Sequence, residues 1–191
     1  MANNNIKHAI GTVCIWFPFL IILSGFLYPE DNITNWWQSL SASYYNQNSF
    51  MFILCFFALI VLLFVDRDEF STIMAALMTV ILLFPCADAT LTITQKEVGV
   101  FGLSPLLSDK IHSMACLGSG IAVIIKNILL IKQTKRKLFI VLLSLIIVSM
   151  SIILYENILH TQNDWSFHWT TIFTETALFV CCGIMYRNID E

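Results

Sequence analysis

Charged residues are scarce in this sequence. Ten Lys and Arg and thirteen Asp and Glu make up 12% of its 191 residues, where a soluble domain of this length carries about 25%. The net charge of −3 comes with no long basic run, so no nucleic-acid partner is expected. Hydrophilic loops contain no cysteine: Cys14, Cys55, Cys86, Cys116, Cys181 and Cys182 all fall inside apolar stretches, and there is no CxxC. That excludes a disulfide framework and a zinc knuckle and leaves the cysteines as small apolar packing residues, with Cys86–Cys116 the one pair to check near a shared membrane face. HExxH, HxxxH, GxSxG, a Gly-rich phosphate loop and CxxCH are also missing, so no metal or cofactor is expected.

Long hydrophobic runs are abundant. Apolar residues make up 58% of the chain, and about 20 in succession span a bilayer. Six stretches qualify, at 9–28, 49–65, 70–86, 111–131, 137–155 and 168–186. They are too long and too continuously apolar for barrel strands, so the expected fold is an all-α integral membrane protein, one domain over 1–191 and a bundle of six transmembrane helices. The first stretch lacks a small-residue cleavage site after it and reads as a retained helix. Pro18 predicts a kink in that helix, and Pro85 an end or bend in the third. The second and third join through Asp66–Glu69 as a tight hairpin.

Basic residues orient the bundle. Lys7, Arg67, Lys126, Lys132, Lys135, Arg136, Lys137 and Arg187 fall on one side, with Lys126 a turn inside helix four and able to snorkel, and only Lys96 and Lys110 on the other. Positive residues favour the cytoplasm, so both termini are expected there. Trp36, Trp37, Trp165 and Trp169 then lie at the outer interface.

With this topology, polar residues gather at the outer helix ends. The stretch Ser39–Phe50, SLSASYYNQNSF, leads into helix two without a single charge and brings Ser43, Tyr45 and Asn46. Asp88 follows Pro85, His112 opens helix four, and His168, Thr171 and Glu175 share one face of helix six. A carboxylate two turns inside a span costs several kcal/mol if it faces lipid, so Glu175 should face the bundle interior and have a partner. Each of these residues also has a plainer structural reading. The serines and tyrosines would be a helix cap and interface residues, His112 and His168 hydrogen-bonded interface histidines, Asp88 a loop acid, and Glu175 a structural hydrogen-bond acceptor. His112, Cys116 and Gly120 recur at four-residue steps, a face small enough for close helix approach.

These motifs resemble a family of uncharacterised bacterial multi-span membrane proteins, with SxSAYYH before span two, FP near the end of span three, a histidine opening span four and an acid in the last span. The matching residues here are Ser39–Asn46, Phe84-Pro85, His112 and Glu175. The resemblance implies a multi-pass protein of the bacterial inner membrane and no particular activity. A more distant likeness is to the CREST superfamily of zinc-dependent membrane hydrolases, which includes alkaline ceramidases and adiponectin receptors. Asn46 stands at that motif's histidine, and His168 and Glu175 stand where its last span has HxxxH. A neutral amide is a poor zinc ligand.

The expected function is an outer polar pocket that binds a lipid head group or small ligand, with Ser43, Tyr45, Asn46, Asp88, His112, His168 and Glu175 around it. Hydroxyl and amide groups hydrogen-bond without the desolvation cost of charge. Membrane lipids are the expected partners, and a cytosolic or membrane protein beside them in a larger sensing or effector system, with homo-oligomerisation left open. One alternative is a lipid hydrolase using His112, His168, Asp88 and Glu175. A second is a small channel or transporter, which would need more polar lining than these spans carry.

Overall fold

Lipid offers no partner to a backbone N–H or C=O, and a helix satisfies both within one segment. The computed structural model describes residues 2–27, 40, 49–85, 101–159 and 168–189. Its regular elements among these residues are six helices: α1 (Ala2–Leu27), α2 (Ser49–Asp66), α3 (Glu69–Leu83), α4 (Pro105–Thr134), α5 (Lys137–Leu159) and α6 (His168–Asn188). Four contain segments long and apolar enough to cross a membrane: Asn4–Leu27, Ser49–Asp66, Pro105–Thr134 and Lys137–Tyr155.

The helix ends follow local chemistry. Helix α3 stops at Leu83, and Phe84 takes φ −120° and ψ 80°, because a residue before proline is pushed out of helical geometry. With 15 residues, α3 is only about 22 Å long. Helix α4 begins at Pro105, six residues before the apolar run, with proline in the first turn, where its missing N–H costs nothing. Helix α1 continues through Pro18. Arg67, at φ 58°, turns α2 into α3, and Lys135, at φ 55°, turns α4 into α5.

The helices form a ring. Each packs on its neighbours in sequence, and α6 closes against α1. The closing seam depends on two glycines, since a Cβ on Gly183 would sit 2.6 Å from the Gly11 carbonyl oxygen; small residues permit this backbone approach. Gly11 also lies against Arg187, so the chain's two ends share one end of the bundle. Arg136 Nη1 donates to the Asn188 carbonyl at 3.0 Å and fixes the α4–α5 turn at that same end. There Lys126 reaches the α2–α3 turn, half-buried. Its Nζ pairs with Asp68 Oδ2 at 3.1 Å and lies over the Phe70 ring.

The outside of the ring is apolar. Phe50, Phe57, Phe64, Ile73, Ile125, Val141 and Val148 are all exposed, a surface that suits lipid rather than water. Spare hydroxyls in the spans fold back on their own helix: Thr79 Oγ1 donates to the Ala75 carbonyl, Ser119 Oγ to Ala115 and Ser144 Oγ to Ile140. That satisfies a polar group without a partner helix.

Candidate functional site: a cavity through the ring

All six helices line a central cavity of about 520 Å³. Helix α6 gives it a continuous stripe, Thr171, Glu175, Leu178, Phe179, Cys182 and Tyr186, spaced as one helical face. Helix α2 contributes Phe52, Phe56, Leu59 and Leu63 at three- and four-residue steps. Phe17, Phe52, Phe56 and Phe179 meet across the ring, with Phe17 centred 5.6 Å from Phe52, 5.7 Å from Phe56 and 5.0 Å from Phe179. The cavity wall is therefore mostly aromatic and aliphatic.

Its described acids and histidine cluster at the end away from the chain termini, while Ser119 and Tyr186 line it further along. Asp109, His112 and Ser113 come from the start of α4, and Thr171 and Glu175 from the start of α6. Asp109 and Glu175 are the acidic residues among the described lining residues, which include no Lys or Arg.

Two hydrogen bonds position α4 at this end. Because Pro85 ends α3 early, the carbonyls of Phe84 and Pro85 project beyond the helix. Ser108 Oγ donates to the Pro85 carbonyl at 2.8 Å, and His112 Nδ1 lies 2.9 Å from the Phe84 carbonyl. Ser108 and His112 are one turn apart, so one face of α4 meets two successive carbonyls. A carbonyl only accepts, which makes Nδ1 the protonated nitrogen. His112 is buried and lines the cavity.

Glu175 has a different partner. Its Oε2 accepts the backbone N–H of Leu40 at 2.6 Å. Leu40 belongs to the uncharged Ser39–Asn46 stretch, and its side chain is buried in the cavity wall. Ser43, Tyr45, Asn46 and Asp88 lie outside the described residues, as does Cys86. His168 begins α6, but its side chain also lies outside them. Of the seven residues singled out by sequence, His112 and Glu175 are the two that the described structure brings to one cavity. Cys116 and Gly120, below His112 on the same helix, line it as well. Gly120 also packs against Met150 of α5.

A second polar group sits at the termini end. Ser71 Oγ donates to Asp66 Oδ2 at 2.6 Å and lies 2.9 Å from the Tyr186 hydroxyl. Ser71 has one proton and gives it to Asp66, so Tyr186 is the donor to Ser71. All three residues are buried, and Tyr186 lines the cavity. The burial of Asp66, at the turn that joins α2 to α3, depends on Ser71 and on a tyrosine that arrives more than a hundred residues later.

Among the described residues, no three His, Cys, Asp or Glu side chains converge where they could hold a metal ion. The five described cysteines are free thiols. No protein-family model, curated protein or solved structure matches the chain.

Proposed function

We propose that this chain is a six-span protein of the inner membrane with both termini cytoplasmic, and that its central cavity binds an amphiphile. The head would lie among Asp109, His112, Thr171 and Glu175 on the extracytoplasmic side, and the chain among the Phe17, Phe52, Phe56 and Phe179 rings. One observation carries this reading: among the described lining residues, the acids and the histidine gather at one end of a single cavity, while aromatic, leucine and methionine side chains make up most of the rest of the wall. An ion or solute path would need more polar lining at mid-depth than this cavity's described wall offers, where aromatic rings stand beside Ser119, whose hydroxyl folds back on its own helix. With two acids and no Lys or Arg among the described lining residues, a head that donates hydrogen bonds or carries an amine is favoured over an anionic phosphate, since like charges repel at short range.

The place of the chain in the uncharacterised bacterial family belongs to the same reading. Described residues of these motifs meet in pairs, Phe84 with His112 and Leu40, within the first motif, with Glu175. That is the expected pattern if the four motifs serve one pocket. A role in a larger sensing or effector system, with a protein partner, would follow from occupancy of that pocket.

Two measurements test the proposal. Reporter fusions after residues 68 and 134 should read cytoplasmic, and those after 40, 100 and 163 external; a reversed pair defeats the topology. Protein purified gently from membranes holding both phosphatidylethanolamine and phosphatidylglycerol should retain lipid by native mass spectrometry, with the amine-bearing lipid enriched over its membrane share. Protein that emerges without lipid, or enriched in the anionic one, overturns the amphiphile reading.

A further inference from the structure

The walls of the cavity are unequal. Lining residues from α1, α2, α3 and α6 are mostly sealed inside the bundle: Phe17 is 1% exposed, Phe56 3%, Met74 2% and Tyr186 2%. The lining residues with high exposure come from α4 and α5. Met114 is 75% exposed and Leu117 39%, and across from them Leu154 is 42% exposed. These three side chains line the cavity and are also open to the outside. The gap is bounded on the termini side, where Gly120 comes so close to Met150 that a Cβ there would strike the methionine side chain. On the other side stand Asp109 and His112, about half a turn to two turns up α4 from Met114 and Leu117.

We infer that the cavity opens sideways to the bilayer between the far-end halves of α4 and α5, and that the acyl chain of a membrane lipid enters through this gap from the adjacent leaflet. The inference rests on the amphiphile reading above and adds its route and its source: the occupant comes from the membrane and not from water. A lipid moving in sideways keeps its chain in an apolar medium throughout. Its head stays at the depth of Asp109, His112, Thr171 and Glu175, so no polar group has to cross the hydrocarbon and bear the cost of desolvation. Entry from water would instead require the chain to leave the bilayer and lose about 0.8 kcal/mol for each methylene exposed. The rim also suits a gap that must part and close. It is made of Met114, Leu117 and Leu154, unbranched or γ-branched side chains that change rotamer readily, and methionine adapts to irregular spaces best of all.

The test follows lipid exchange in nanodiscs, with isotopically labelled phosphatidylethanolamine as the probe and native mass spectrometry as the readout. Met114→Trp combined with Leu154→Trp should fill the gap and slow the appearance of labelled lipid in the protein several-fold. Phe57→Trp, on the outer surface of α2 away from the cavity, should exchange at the wild-type rate. The widened pair Met114→Ala and Leu154→Ala should exchange faster than wild type, and it decides the matter if the double tryptophan variant fails to fold. Lipid retained by wild type and exchanged at one rate by the filled and widened variants overturns the portal and leaves the cavity reading intact. Wild type that retains no lipid overturns the cavity reading, and the portal with it.

Discussion

Ser71→Ala is expected to destabilise the protein more than Tyr186→Phe, although each removes one hydroxyl from the same buried group. Ser71 is the middle member of the chain Tyr186–Ser71–Asp66, accepting from one side and donating to the other. Its truncation strands both neighbours. The carboxyl of Asp66 loses the donor to Oδ2, while Oδ1 already has no partner among the described residues. The Tyr186 hydroxyl loses its acceptor in a setting where both residues are buried. Leaving a buried acid and a buried hydroxyl unsatisfied costs about 2–4 kcal/mol. Tyr186→Phe deletes one donor, keeps the ring packed on Phe70 at 5.9 Å, and leaves the stronger Ser71–Asp66 bond in place. Its cost should be about 1 kcal/mol. Asp66→Asn keeps an acceptor for Ser71 and should fall between the two. The check is the thermal midpoint of the three variants in one detergent. A Tyr186→Phe loss equal to that of Ser71→Ala would remove Ser71 from the centre of the chain.

The helices were readable from sequence because apolar length alone nearly determines them; each expected stretch matches a helix to within a few residues, apart from the earlier starts of α1 and α4, and four of the six contain segments long and apolar enough to cross a membrane. Which side of each helix faces inward was not readable. In water an inward face is apolar and an outward face polar, but lipid removes that contrast. Phe52 and Phe57 lie on the same apolar helix, yet the first is buried against Phe17 and the second is 57% exposed. Nothing in their local sequence separates them. The ring, and therefore the cavity, depends on close approaches such as Gly11–Gly183, which join residues at opposite ends of the chain. Asp66 was unreadable for a related reason: an acid beside Arg67 and Asp68 has the composition of an exposed turn, and only the arrival of α6 buries it. The interior placement of Glu175 could be anticipated, since a carboxylate inside a span needs a partner. The identity of that partner could not, because one backbone N–H looks like any other in a sequence.

Glu175 should therefore separate stability from ligand preference when it is replaced in two ways. Its Oε2 accepts the Leu40 N–H at 2.6 Å, and that contact ties Leu40 to α6. Glu175→Leu removes the acceptor. The Leu40 N–H is then left without it at a partly buried position, at a cost of about 1–3 kcal/mol, and the anchor that keeps the Leu40 side chain in the cavity wall is lost. Lower thermal stability and loss of retained lipid should appear together. Glu175→Gln keeps the side chain's length and a carbonyl oxygen able to accept the same N–H, so its thermal midpoint should stay close to wild type. The negative charge is gone, however, and with it one of the two acids that distinguish the head-group end. Lipid should still be retained by the glutamine variant, but the ratio of phosphatidylethanolamine to phosphatidylglycerol in the bound fraction should move toward that of the membrane. The comparison needs only thermal midpoints and native mass spectra of the three proteins prepared from one membrane composition. A glutamine variant as unstable as the leucine variant would mean that the charge, and not the acceptor, holds Leu40. A leucine variant that keeps wild-type stability and wild-type lipid would show that Glu175 neither anchors Leu40 nor faces the head group.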